Sequence, residues 1–353
     1  MKIFKNVKLN GEITDMICEN GIITDIKKTD SDGIDFKGQT IRAGLIDIHT
    51  HGAAGYDTMD GNISETALFY AKNGITAFYP TTMTVDIEKI KNVINKPLEK
   101  NDGANICGYH LEGPYINEKY KGAQNSEFIR KPDIDEFNTF KNVKIVTIAP
   151  EVEGAIEFIK KCDAVVSLGH SDSDYDTGIK AMENGAMCLT HTFNAMPPLH
   201  HRNPALIGAA ADKNIYVQVI CDGLHIHPAA IRILYKIFGS DRMILISDSM
   251  RATGLSDGEY EFGGQTITVS NAVARTQDGA IAGSTSTLMQ CVNKAIEFGI
   301  SPDEAYKMAS ETPAKLMGIK KGLIKPGYDC DFIVLDDNGN LAATVVSGNL
   351  ITG

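Results

Sequence analysis

The chain lacks any apolar run of about 18 residues, the least that a bilayer-crossing helix needs, so no membrane span is expected. Its opening residues, Met1-Lys2-Ile3-Phe4-Lys5-Asn6, carry lysine but no apolar stretch, and a secretory leader is not expected either. Cysteine pairs of the C-x-x-C type are missing, and the count of 7 cysteines is odd. Both facts argue against a disulfide framework. Cys107, Cys162, Cys188 and Cys221 sit in or beside apolar runs and read as buried thiols of a reducing cytoplasm. Basic residues are in deficit, 34 Lys and Arg against 45 Asp and Glu, for a formal net charge of −11. That balance argues against nucleic acid and anionic membranes as partners, and any anionic ligand would need a local site. Solenoid repeats and low-complexity tracts are also absent.

What is present is a chain of 353 residues, 43% hydrophobic and 22% charged. This suits one large globular domain with a small appendage. Eight short apolar runs, at 45–48, 77–79, 106–111, 145–148, 164–168, 187–189, 217–220 and 243–246, read as strands. Helical patterns at 64–73, 87–94, 155–160, 175–183 and 228–238 alternate with them. Strand and helix in alternation predict an α/β fold, a (β/α)₈ TIM-type barrel over 43–319. Segments 1–42 and 320–353 are strand-rich, with hairpin signals at Asn10-Gly11, Asn20-Gly21 and Asn338-Gly339. They are expected to pair into a small β-sandwich domain. Residues 256–284 look like a β excursion, with turns at Asp257-Gly258, Gly263-Gly264 and Asp278-Gly279. Helices should restart near Thr287 and at Ser301-Pro302-Asp303-Glu304, which offers an N-cap, a proline and a capping-box glutamate.

Polar residues cluster where the strands end. His49 and His51 follow the first strand, Glu112 the third and His170 the fifth. His191 and Asn194 follow the sixth, Asp222 and His225 the seventh, and Asp248 the eighth. Active sites of such barrels lie at the C-terminal ends of the strands, so these positions converge. Helix caps explain an occasional Ser or Asp there but not the histidines. Taken singly, each residue has an ordinary reading: H-x-H as two polar side chains, Glu112 as a solvated loop acid, Asp248 as an N-cap. Taken together, Glu112, His170 and His191 form a ligand set for a catalytic divalent ion with an open position. His49 and His51, two apart on one strand, can face one ion and so permit a second. Imidazole and carboxylate donors suit Zn or Fe. Asp248 would take a proton from the attacking water and return it to the leaving amine.

Several strings carry a resemblance. They are Gly44-Leu45-Ile46-Asp47-Ile48-His49-Thr50-His51-Gly52, His110-Leu111-Glu112-Gly113-Pro114, Gly169-His170-Ser171, Thr190-His191-Thr192-Phe193-Asn194-Ala195-Met196-Pro197, Cys221-Asp222-Gly223-Leu224-His225, Ser247-Asp248 and Gly283-Ser284. Over essentially its whole length the chain resembles the amidohydrolase superfamily. Within it, the resemblance is to the branch that deacetylates N-acetylglucosamine 6-phosphate in amino sugar catabolism. The resemblance implies Glu112, His170 and His191 as ligands of the principal metal, His49 and His51 as holders of a second, and Asp248 as acid/base. It implies Asn194, Ala195, Arg202, His225, the pair Ala123 and Gln124, and Leu288 as contacts of a phosphorylated amino sugar. It also implies a cytoplasmic homodimer with one or two ions per subunit.

One departure stands out. Some relatives carry a histidine, thought to polarise the scissile carbonyl, where this chain has Gln124; that duty would pass to Gln124, to His51 or to a second metal. Arg202 makes physical sense as a phosphate fork, with a plain surface arginine as the alternative. A deacetylase of the galacto epimer stays open. A cyclic-amide hydrolase is disfavoured, because no lysine stands at the tip of the fourth strand, Thr147-Ile148-Ala149-Pro150. A non-catalytic binding protein is disfavoured because every expected ligand is present. A serine hydrolase is disfavoured because Gly283-Ser284 lacks the G-x-S-x-G elbow.

Overall fold

A computed structural model describes residues 1–98 and 101–351. Eight parallel strands form the barrel: β1 (Leu45–Thr50), β2 (Ile75–Thr82), β3 (Tyr109–Glu112), β4 (Val143–Ile148), β5 (Val165–Leu168), β6 (Ala186–Leu189), β7 (Tyr216–Ile220) and β8 (Met243–Ile246). Ladders join each strand to the next from β1 to β8. All of the side chains in β1, β2, β3 and β8 are buried. A parallel sheet covered on both faces accounts for their continuous apolar runs. The run expected over 106–111 breaks at Gly108 into Asn105–Ile106 and β3, both of which pair with β2.

No ladder joins β8 to β1 among the described residues. Side-chain and backbone hydrogen bonds outside any ladder close that seam. The buried Asp47 carboxylate accepts from the backbone N–H of Ser247 and from its hydroxyl, and the Asp248 N–H donates to the His49 carbonyl at 3.0 Å. The seam therefore fixes the strand ends that carry His49 and Asp248.

The helices have local causes. Pro228–Phe238 starts with Pro at its first turn, and His227 Nδ1 accepts from the Ala229 N–H. Its buried Ile231, Leu234 and Phe238 recur at helical spacing. Leu288–Glu297 opens with a capping box between Thr287 and Gln290.

The termini build a separate eight-stranded sheet. Its order is Asn349–Ile351, Leu341–Val346, Phe332–Leu335, Thr40–Ala43, Lys2–Leu9, Glu12–Glu19 and Ile22–Ile26, with Ile34–Asp35 beside Lys2–Leu9. Its own core contains Phe4, Met16, Phe36, Phe332 and Val345. The excursion after β8 is a three-stranded antiparallel sheet, Gly258–Phe262, Gln265–Ser270 and Val273–Arg275. Gly263-Gly264 turns the first hairpin as expected. The second turn is Asn271-Ala272, both left-handed, and Asp257 accepts from both of their N–H groups instead of making a turn with Gly258. All 7 cysteines are free thiols. No described helix is long and apolar enough to cross a membrane.

Candidate metal centre and active site

The strand ends bring His49, His51, Glu112, His170, His191 and Asp248 to one point. Glu112 is the hub. Its Oε1 lies 3.2 Å from His49 Nε2, 3.2 Å from His170 Nε2 and 3.1 Å from His191 Nε2. Its Oε2 lies 3.2 Å from His51 Nε2. Asp248 Oδ1 stands 3.3 Å from the Nε2 atoms of both His49 and His51. Two groups of potential metal ligands share the hub, namely His49, His51 and Glu112, and Glu112, His170 and His191.

The tautomers indicate what belongs between these side chains. His51 Nδ1 faces the Thr81 carbonyl at 3.2 Å, His170 Nδ1 the Tyr120 carbonyl at 2.9 Å, and His49 Nδ1 the Gln218 amide oxygen at 3.0 Å. An oxygen acceptor places the proton on Nδ1, so each neutral ring turns a bare Nε2 lone pair inward. His191 differs, since its Nδ1 is buried without a partner. Lone pairs then crowd one another: His170 Nε2 and His191 Nε2 are 3.0 Å apart. His49 Nε2 and Asp248 Oδ1 are buried and make no hydrogen bond. Unpaired acceptors converging on carboxylate oxygens are costly unless a cation sits among them. The donor set fits one or two divalent ions.

The electrostatics agree. Burial opposes charge on His51, yet the Asp248 and Glu112 carboxylates beside its Nε2 push its pKa up to about 10, so positive charge is favoured at that point, whether as a proton on the ring or as a cation between the ring and the carboxylates. Burial likewise opposes charge on Glu112, but His49 and His170 hold its carboxyl well below the usual range. Asp248, also buried, is kept ionised by His49 and His51. The site thus demands positive charge and keeps a deprotonated carboxylate beside it. His110 is different in kind. Burial and the neighbouring His49 keep it neutral, and it bonds the Ile48 carbonyl and Thr147 Oγ1 in the barrel interior.

The backbone is strained at these residues. His170, His191 and Asp248 have φ of 48°, 25° and 48°, the left-handed region that side chains other than glycine avoid. Each such residue costs on the order of 1–3 kcal/mol and persists where the surroundings over-determine it. Gly113, just after Glu112, has φ of 72°, and a Cβ there would fall 2.1 Å from Thr84 Oγ1. Only glycine lets the β3 loop pass this close to Thr84.

A cavity of about 410 Å³ opens beside the centre, lined among others by His191, Asn194, Ala195, His225 and Asp248. Asp222 serves it indirectly: its carboxylate accepts from His225 Nδ1 at 2.7 Å and from the Leu224 and His225 N–H groups. The excursion forms part of the wall through Ala280 and Ile281, and Phe262 sets its ring edge against His51 with centroids 5.2 Å apart.

Four expected substrate contacts fall outside this lining. The Ala123 carbonyl accepts from Gln265, tying the β3 loop to the excursion. Gln124 is turned inward against Glu112. Leu288 is buried in the main hydrophobic core, because the Thr287 cap directs that helix turn inward. Arg202 lies on an exposed loop with its guanidinium 2.7 Å from His201 Nε2. Gln218 is a group that motif reading passes over, although a glutamine inside the apolar run of β7 is a visible signal. The Thr81 and Tyr120 carbonyls leave no such trace, because any residue supplies a carbonyl.

Comparisons with known proteins place this geometry. The model of the amidohydrolase family matches residues 40–351. An N-acetylglucosamine-6-phosphate deacetylase of Vibrio furnissii is 36% identical, over 94% of this chain and 89% of that protein. An N-acetylgalactosamine-6-phosphate deacetylase of Escherichia coli O157:H7 is 35% identical, over 86% of each. A Mycobacterium smegmatis N-acetyl-D-glucosamine-6-phosphate deacetylase variant, solved in complex with N-acetyl-D-glucosamine-6-phosphate, superposes with a TM-score of 0.92 at 27% identity. That match covers 100% of this chain and 99% of the other.

Proposed function

The chain belongs to the amidohydrolase family, and from that premise we propose that it hydrolyses the acetamide of N-acetyl-D-glucosamine 6-phosphate, giving D-glucosamine 6-phosphate and acetate. The observation that carries this reading is the meeting of Glu112, His170, His191, His49 and His51 around shared points, with the ionised Asp248 between them and the cavity. A divalent ion held there, Zn or Fe, supplies a Lewis acid for the amide carbonyl and makes water reactive at neutral pH.

The chain's own residues do the rest. Asp248 Oδ1 takes the proton of the attacking water and delivers it to the amine nitrogen as the carbon–nitrogen bond breaks. Its pKa, held low by His49 and His51, suits the first half of that task. The cavity wall at Asn194, Ala195 and His225 receives the sugar. Burial opposes charge on His225, but Asp222 favours it, so its imidazole offers a hydrogen-bond donor or a cation to an anionic group. Arg202 remains a proposed phosphate contact in a homodimer, reached by movement of its loop or across subunits. The free thiols fit a cytoplasmic enzyme.

The galacto epimer is the second reading, favoured by the E. coli relative. Metal analysis of pure protein, with acetate release measured on N-acetylglucosamine 6-phosphate, N-acetylgalactosamine 6-phosphate and unphosphorylated N-acetylglucosamine, separates the possibilities. The expected result is bound metal and the highest kcat/KM on the gluco 6-phosphate. A higher value on the galacto compound replaces the substrate assignment, and acetate release from none of them ends it.

A further inference from the structure

We infer that Gln124 is a positioning residue for the metal hub: its amide holds the Glu112 carboxylate in the orientation that turns one oxygen to His49, His170 and His191 and the other to His51. This rests on the proposed function only in assuming a metal-dependent reaction.

The bonds of Gln124 leave little freedom. Gln124 is buried. Its Oε1 accepts from the Thr84 backbone N–H at 2.6 Å, and its Nε2 donates to Glu112 Oε2 at 2.7 Å. A backbone N–H can only donate and an ionised carboxylate can only accept, so the amide cannot be flipped without two repulsive contacts. The second N–H of Nε2 approaches Met83 Sδ at 3.7 Å. Every polar atom of the side chain is therefore committed inside the protein, and none faces the cavity where a substrate carbonyl would lie. The oxygen that Gln124 grips is the one facing His51, and the opposite oxygen is the one shared by three imidazoles. A carboxylate free to rotate about its last bond would lose that division. Thr84 is itself fixed, since its hydroxyl donates to the Glu112 carbonyl at 3.4 Å and Gly113 packs against it.

Partners that orient a metal ligand are worth about 10–100-fold in metal affinity. The test compares Gln124→Met, which keeps the volume and removes the donor, with Gln124→Asn, which keeps the amide but is too short to span Thr84 and Glu112. Zn²⁺ affinity is measured by competition with a chromophoric chelator, without substrate. KM is then measured on N-acetylglucosamine 6-phosphate at saturating Zn²⁺. The expected result in both variants is a Kd for Zn²⁺ weakened about 10–100-fold. The metal-free midpoint should fall, because the Thr84 N–H and the Glu112 carboxylate each lose a partner, the further rise in midpoint on adding Zn²⁺ should shrink, and KM should move less than about 2-fold. Unchanged Zn²⁺ affinity with a KM raised about 10-fold would make Gln124 a substrate contact and overturn the inference. Unchanged affinity and unchanged KM would overturn it as well. If Gln124→Met does not fold, Gln124→Asn decides. Because affinity is read without substrate, failure of the deacetylase assignment leaves this test intact.

Discussion

At the barrel rim, left-handed backbone falls on His170, His191 and Asp248, and buried carboxylates face four imidazoles. In the terminal sheet, left-handed backbone falls mainly on Asn and Gly, at Asn6, Asn10-Gly11 and Asn20-Gly21, with Lys37 and Ser347 as exceptions, and in the core Phe332 meets Phe4 and Phe36 edge-on while Phe4 and Phe36 stack. The same backbone conformation is nearly free at an Asn-Gly turn and costly at a histidine or aspartate. The rim thus spends stability on strain and on desolvated charge, and the sheet contributes it through apolar packing. Chemistry and stability are divided between two regions of one chain, and that division can be attacked from either side.

The strongest attack is Asp248→Asn. The amide matches the carboxylate in size but cannot accept the water's proton. Turnover should fall by about 10²–10⁴, the usual worth of a general acid/base. Metal content should stay at the parent value, because Asp248 stands outside the ligand groups formed with Glu112. The thermal midpoint of the metal-free protein should fall slightly, since the depressed pKa of Asp248 marks a charge that His49 and His51 stabilise in the folded state. Turnover within about 10-fold of the parent would remove Asp248 from the reaction.

From the other side, Phe332→Ala removes a fully buried ring that meets Phe4 at 5.1 Å between centroids. A truncation of this kind costs about 3–5 kcal/mol. Urea unfolding should show that loss, while kcat per folded molecule holds. A lower kcat in the folded fraction would show that the sheet transmits to the rim. A route exists, since Phe332–Leu335 pairs with Thr40–Ala43, which leads straight into β1.

The two regions also differ in how far the sequence discloses them. The barrel is legible because apolar runs alternate with helical patterns, and the six residues of the centre are legible because they follow closely on the ends of the first, third, fifth, sixth and eighth runs. The sheet hairpins are legible because Asn-Gly tolerates positive φ. Less legible is whatever depends on a partner far along the chain. Asp47 reads as one more strand residue, yet its carboxylate closes the seam with Ser247. Gln124 reads as a substrate contact, and its hydrogen bonds to Thr84 and Glu112 leave no trace in the sequence. The turn at Asn271-Ala272 depends on Asp257, fourteen and fifteen residues earlier. Arg202 and Leu288 rest on resemblance alone, and the geometry of this chain sets neither against the cavity.

The mildest test places the rim's strain in the sheet. Gly11 has φ of 88°, and a Cβ built there meets nothing within 4 Å. Gly11→Ala therefore adds no clash and isolates the backbone term, about 1–2 kcal/mol for an L-residue held left-handed. The thermal midpoint should fall by a corresponding few degrees, with kcat and KM unchanged. The rim already carries such residues at His170, His191, Phe193, Ala195 and Asp248 and still folds, which requires the sheet and barrel core to offset a cost of this size several times over. Should Gly11→Ala prove neutral, the hairpin can relax away from left-handed backbone. The strain argued for His170, His191 and Asp248 would then have to be measured at those residues instead of inferred from φ.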